Sequence, residues 1–409
     1  MLDELFDKVQ NAGMWVAGIV MVGAATWLYP YIKQQLAPQA PQASARPVAS
    51  IGVSQTAALI RGAEPNVRDA NGWATDLLGV LQAHRIPQSK ENVCSVIAVV
   101  DQESGFVANP AVPNLGKLSE KAVIDKLNKI PVLSGQAESF LDRFPDKQNS
   151  FMQRIRKART ERDLDLAYRD LVAGLEKYAA QYKLGMLVQN GFARDFIESR
   201  NEIDTIGSMQ VSVDFALQHE SSVQKKSFSL QDIYTIRDRM YTRKGGMYYG
   251  TLLLLGYDTG YDKKIYRFAD FNAGRYSSRN AAFQKVISEL LKQPVATDGD
   301  LLIYKADGDV ALTMSGTEKA LANLVQKYAL GLKEWEIRRD LLQEKHLYFN
   351  STVTYKTVMA LYRKVKNTTP AYAMVPVITL TSEKTSNILT TQKFANSVNN
   401  RYQRCLSQN

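Results

Sequence analysis

The sequence predicts a mainly α-helical protein in which a membrane-spanning helix precedes a folded domain. Three observations carry that expectation. Residues 14–32 are apolar and lie in an interval without charge between Lys8 and Lys33. Residues 37–50 then turn to proline, glutamine and alanine. Most of the remaining chain, which is long enough for two or three domains, shows apolar residues at helical spacing, with hydrophobic residues at 45% and charged residues at 22% of 409.

Each segment has its own physical reason. Met14 to Ile32 contains Trp15, Ile19, Val20, Met21, Val22, Trp27 and Leu28, close to the roughly 20 residues that cross a bilayer as a helix. Trp15 at one end and Trp27, Tyr29 and Tyr31 at the other fit interfacial belts. Asp3, Glu4 and Asp7 make the start acidic, which favours a retained anchor over a cleaved signal peptide with its basic start. Lys8, Lys33 and Arg46 give the flanks no clear charge asymmetry, so they do not set the orientation. Pro38, Pro41 and Pro47 lie in a stretch too polar to bury a core, read as an extended linker.

The folded part begins near Ser54. Trp73, Leu77, Leu78, Val80 and Leu81 have helical spacing, broken at Arg85-Ile-Pro87. Ser89 or Asn92 is placed to cap the next helix, whose apolar run Val93–Val100 ends in Asp101-Gln-Glu103-Ser-Gly105. Gly105, Pro110, Pro113 and Gly116 impose a loop. Amphipathic helices follow to about Glu198, one carrying Leu164, Tyr168, Leu171 and Leu175. There Arg154, Arg156, Lys157 and Arg159 stand beside Glu161, Asp163 and Asp165, a mixture read as a solvated helix face. Leu230 to Tyr257 reads as two helices joined around Gly245-Gly246, and Glu318 to Leu332 as one amphipathic helix. Beyond about Phe349, Thr- and Val-rich pieces and a polar tail read as a less regular C-terminal portion. The expected divisions are 1–13 (a short N-terminal segment), 14–32 (the anchor), 33–53 (the linker), 54–345 (the main domain, with a helical insertion at 117–200) and 346–409 (a C-terminal extension).

Composition narrows the chemistry. A net charge of +10 favours an anionic partner. No basic motif with interleaved aromatics appears, so nucleic acid is not an expected partner. Two cysteines, Cys94 and Cys405, and three histidines, His84, His219 and His346, form neither CxxC nor HExxH. No metal site and no cofactor are expected. Whether Cys94 and Cys405 pair stays open on sequence.

Glu103 is the residue whose placement suggests chemistry. A carboxyl that follows Val96-Ile-Ala-Val-Val100 is expected to sit against apolar packing. Desolvation then raises its pKa, as a general acid working near neutral pH requires. Two further punctuated stretches follow, Gly207-Ser-Met-Gln210 and Asp270-Phe-Asn-Ala-Gly274. Glu103-Ser104, then Gly207–Gln210, then Phe271–Gly274 resembles, in that order, the three motifs of the lytic transglycosylases of the lysozyme-like superfamily. The resemblance covers roughly residues 60–290 and is tight at about fifteen positions.

That resemblance implies a lysozyme-like helical catalytic domain acting on peptidoglycan glycan strands. Glu103 would protonate the glycosidic oxygen between N-acetylmuramic acid and N-acetylglucosamine. It would then take the proton from the muramic acid O6 as a 1,6-anhydro ring closes, a route without a carboxylate nucleophile. Ser104 would fix the acid and the local backbone. Gly207 would admit the sugar, with Ser208 in the same motif; Met209 would line the cleft and Gln210 would bond near the scissile linkage. Phe271, Asn272, Ala273 and Gly274 would form the far wall.

The chain departs from the family pattern in three places. Phe271 replaces a tyrosine, which leaves Tyr248, Tyr249, Tyr266 and Tyr276 to supply a hydroxyl. Ser208 replaces a leucine. Glu103 and Gly207 are 104 positions apart, so the insertion must loop out, which costs little thermodynamically. Two alternatives accompany the transglycosylase: a hydrolytic muramidase using Glu103 with Glu202 or Asp204, and a non-catalytic peptidoglycan-binding scaffold of an envelope assembly. The expected setting is a single-pass inner-membrane protein with its main domain in the periplasm. An envelope-spanning assembly is a further expected partner.

Overall fold

The computed structural model describes residues 49–129, 133–181, 203–305, 308–380 and 389–408. The anchor at 14–32 and Glu198 and Glu202 lie outside the described residues. Among those described, no helix is long and apolar enough to cross a membrane. Residues 49–409 form one compact unit, and the architecture is mainly helical, as expected.

The unit is built around α3 (Lys90–Ser104). Ser89 caps it, its Oγ accepting the Asn92 N–H at 3.2 Å, and Gly105 ends it in the left-handed conformation at φ 55°. Every residue from Val93 to Val100 is buried, because α3 is enclosed on all sides. Its neighbours are α1 (Val53–Ala63), α2 (Ala70–Ala83), α10 (Arg243–Leu255) and the C-terminal helix α16 (Thr391–Ser407).

Between α3 and the second motif, the described residues form α4 (Leu115–Leu127), α5 (Ala137–Arg143), α6 (Phe151–Lys157) and α7 (Glu161–Gln181). A short antiparallel hairpin follows: β1 (Thr205–Ile206) pairs with β2 (Val211–Ser212), in the register Thr205↔Ser212 and Ile206↔Val211. Helices α8 (Val213–Gln224) and α9 (Leu230–Met240) lead to α10, and α11 (Lys264–Ala273) carries the third motif at its C-terminal end.

Beyond Gly274 a second core forms from α12 (Ser277–Leu291), α13 (Gly316–Tyr328), α14 (Glu334–Leu341) and α15 (Val353–Lys366). Phe283, Phe349 and Tyr355 pack ring against ring at its centre. Arg279 is wholly buried there, bonded to the carbonyl of His346 at 2.8 Å and to Asn280. Strands β3 (Thr379–Leu380) and β4 (Leu389–Thr390) form a second short hairpin before α16.

Three local readings change. The break between α9 and α10 falls at Tyr241-Thr242, not at Gly245-Gly246, because Thr242 caps α10 through the Gly245 N–H at 3.0 Å. A Cβ on Gly245 would lie 2.0 Å from the Arg239 carbonyl, so that glycine serves close packing inside the helix. Glu161 and Asp165 are buried, at 5% and 0% exposure, rather than on a solvated face. Their i, i+4 spacing turns both inward, where Arg237 and Arg169 pair with Asp165 at 2.8 and 2.6 Å. The C-terminal portion is also more regular than its polarity suggests. In α16, Phe394, Ala395, Val398, Tyr402 and Cys405 form one buried stripe.

Candidate functional site

The site starts where α3 ends. Gly105 and Phe106 both take positive φ, and Phe106 is held by an edge-on contact with Trp73 at 5.3 Å. The chain therefore turns away sharply and leaves Glu103 on the last turn of a buried helix. Burial raises the Glu103 carboxyl to about 7 from an ordinary 4.5. Arg401 on α16 opposes that shift, and Glu161 at the start of α7 adds to it. No hydrogen-bond donor reaches the Glu103 side chain among the described residues.

Ser104 joins the first motif to the second. Its Oγ donates to the Ser208 carbonyl at 2.9 Å and lies 3.1 Å from the Val100 carbonyl of its own helix. Residues 207–210 are the turn of the β1–β2 hairpin, closed by the Gln210 N–H on the Gly207 carbonyl at 3.0 Å. Gly207 has φ +86°, and a Cβ there would meet the Met240 carbonyl at 2.4 Å. Gly207→Ala should therefore cost about 2–4 kcal/mol in urea unfolding. An unchanged midpoint would contradict this packing.

Each remaining residue of the second motif has a definite place. Met209 is wholly buried against Gly250, so it packs the core instead of lining an open cleft. Ser208 is buried beside Gly246, and its hydroxyl has no partner among the described residues. Gln210 is partly exposed. Its Nε2 donates to Glu161 at 3.1 Å, and its Oε1 accepts the Thr205 hydroxyl at 3.1 Å.

The third motif closes α11. Asp270 is fully buried and accepts bonds from the Tyr257 and Tyr261 hydroxyls at 3.1 and 2.7 Å. It also accepts the backbone N–H groups of Tyr276 and Ser278 at 2.8 and 2.7 Å, so its role is to hold the loop. Phe271 is buried, while Asn272, Ala273 and Gly274 are partly exposed. The Asn272 Oδ1 accepts the Thr391 hydroxyl at 2.9 Å.

None of the four tyrosines that could replace the hydroxyl missing at Phe271 bonds Glu103 among the described residues. Tyr249 donates to Glu220 at 2.6 Å, and Tyr276 donates to the Asp258 carbonyl at 2.6 Å. Tyr248 packs against His84 with the rings tilted and their centroids 4.2 Å apart, and Tyr266 lies near the N-terminal end of α11. The cation whose charge acts on Glu103 comes instead from α16. Arg401 pairs with Asp101 at 2.9 Å and donates to Ser397 Oγ at 2.7 Å, and Ser397 donates to Gln102 at 2.6 Å. The other end of α16 is fastened to α3 by the Cys94–Cys405 disulfide, with Cα atoms 5.6 Å apart.

Glu161, Ser397 and Arg401 carry no motif in the sequence that marks them as site residues. The i, i+4 spacing of Glu161 and Asp165 on α7 is a signal for the first, and the apolar period of α16 is one for the others. Asp204 is exposed at the hairpin entrance. No group of three or more His, Cys, Asp or Glu is placed to hold a metal among the described residues.

The family model described as Protein of unknown function (DUF1615) matches residues 66–408, a span that contains all three motifs and α16. The Uncharacterized protein YaiW of Escherichia coli (strain K12) is 34% identical over 371 residues, covering 90% of this chain and 94% of that protein. No solved structure matches the chain.

Proposed function

The chain belongs to the DUF1615 family, and we propose that it is a peptidoglycan lytic transglycosylase with a lysozyme-like catalytic domain and Glu103 as its single acid/base. The observation that carries this reading is the 2.9 Å bond from Ser104 to the Ser208 carbonyl, which links the residue beside the acid to the second motif across 104 positions. A carboxyl raised to about 7 supplies the chemistry. Glu103 donates its proton to the glycosidic oxygen, and the C1–O bond breaks. The same carboxylate then accepts the O6 proton as O6 bonds to C1. The proton returns to Glu103, and no water is consumed.

In this mechanism Gln210 and Asn272 bind sugar from facing walls. Each is partly exposed, and Glu161 and Thr391 respectively orient them. The disulfide is at home in an oxidising compartment, which supports a periplasmic placement of this domain behind an inner-membrane anchor at 14–32. Incubating the protein with purified cell wall should release muropeptides with 1,6-anhydro ends, identified by mass spectrometry. A failure to release any would exclude both this reading and a hydrolytic one.

Glu161 favours one second reading. As a buried carboxylate close to Glu103, it could activate water and make the enzyme a hydrolytic muramidase. Reducing ends among the products would select that reading.

The pH dependence follows from the charges around Glu103. Cleavage requires the protonated acid, so activity should fall as pH rises through about 7. Arg401→Gln removes the charge that lowers this pKa, so the falling limb should move to higher pH. Arg401→Lys should leave it near its original position. A limb unmoved in Arg401→Gln would exclude Arg401 from the electrostatics of the site.

A further inference from the structure

A cleft of about 740 Å³ opens at the N-terminal end of α11, between that helix, residues 374–375 and α16. Asn272 to Gly274 stand at the other end of α11, and at ~1.5 Å per residue Asn272 lies about 9 Å along the axis from Tyr266, the last residue of α11 in the cleft. The cleft therefore adjoins the site around Glu103, since its lining residue Gln392 follows the Thr391 that bonds Asn272, but Lys264 lies at the opposite end of α11 from Asn272. Lys263 and Lys264 both line the cleft, and of the two only Lys264 is partly buried.

Among the described residues the Lys264 ammonium has one polar partner, the neutral Asn92 Oδ1 at 3.3 Å, and no carboxylate within ion-pair distance. Burial and the nearby Arg267 lower its pKa to about 8, against a small opposing pull from Glu91. It is still charged at neutral pH. A half-buried cation with only a neutral partner gains from an anion that enters the cleft beside it.

The remaining walls narrow the class of ligand. Asn399 and Gln403 lie one turn apart on α16, and their side-chain amides have no partner among the described residues. An amide offers both a donor and an acceptor, which matches a peptide unit. Met374, Val375 and Leu406 add apolar surface for a side chain. Asp262 on the rim disfavours a multiply charged anion such as phosphate.

We propose that this cleft binds the terminal carboxylate of a short peptide, with Lys264 on the carboxylate and Asn399 and Gln403 on the preceding peptide unit. Wall stem peptides and protein C-termini share this chemistry and differ in the configuration of their residues. The proposal does not depend on the activity assigned to Glu103.

The test is calorimetric titration of the full chain with N-acetyl-alanyl-alanine in its D,D and L,L forms, and with the C-terminal amide of each. The acids should bind saturably and the amides roughly tenfold more weakly, as the loss of a charge-assisted bond implies. Preference for the D,D acid would identify a wall peptide, and preference for the L,L acid a protein terminus. Lys264→Met should weaken acid binding by roughly tenfold, and Lys264→Arg should retain most of it. Equal affinity for acid and amide, or no saturable binding of any probe, would overturn the proposal without reference to a variant's folding. Undiminished binding by a folded Lys264→Met would do the same.

Discussion

Glu103→Gln should abolish muropeptide release and, at alkaline pH, stabilise the protein. The loss of rate should be on the order of 10²–10⁴-fold, the range expected when a positioned acid/base is removed. The stability effect has the opposite sign because of the shifted pKa. In the unfolded chain Glu103 titrates near 4.5, and in the folded protein near 7. Between those values the folded state binds the extra proton. The stabilisation linked to it is complete below about pH 4.5 and lost as pH rises through 7. A glutamine carries no charge to bury, so at pH 8 the variant should gain roughly 1–3 kcal/mol over the parent. Matched urea melts at pH 5 and pH 8 would measure this, with little difference expected at the lower pH. A variant that lost activity and also lost stability at pH 8 would point to a structural role for Glu103.

Removing the disulfide should produce the largest loss of stability. Cys94 and Cys405 join α3 to α16 across a separation of 311 residues. A cross-link closing so long a loop restricts the unfolded chain strongly, and its loss from a domain costs roughly 3–5 kcal/mol. The functional loss should follow from what α16 carries. Arg401 approaches Glu103, Ser397 bonds Gln102, and Thr391 bonds Asn272. A Cys94→Ser/Cys405→Ser variant that remains folded should therefore cleave more slowly as well as unfold more easily. A midpoint that does not move under reducing conditions would contradict this bracing role.

Much of this arrangement was legible in the sequence, and the missing parts share a physical cause. The buried run Val93–Val100, its Ser89 cap and the left-handed Gly105 are local features, so propensity and capping rules reach them. The need for glycine at 207 is also visible from its motif, although its reason, the approach of the Met240 carbonyl, is not. What escaped is long-range. Glu161 appears as one acid among several until α7 folds its inward face onto Gln210. Arg401 lies in a polar helix whose buried stripe is interrupted by charge, nearly 300 positions from the carboxyl it approaches. Met209 is a different case, because Gly207, Ser208 and Met209 are all buried in the hairpin turn and no local periodicity shows which way a turn residue faces.

In the proposed mechanism Glu103 both donates the first proton and accepts the second, with the sugar's own O6 as nucleophile. Digesting purified cell wall in water enriched in oxygen-18 tests this most directly, because the two catalytic routes differ in whether solvent oxygen enters the product. New muramic acid ends without oxygen-18, present with the parent protein and absent with Glu103→Gln, are the expected result. Incorporation of one oxygen-18 at each new end, or release unchanged in Glu103→Gln, would contradict it.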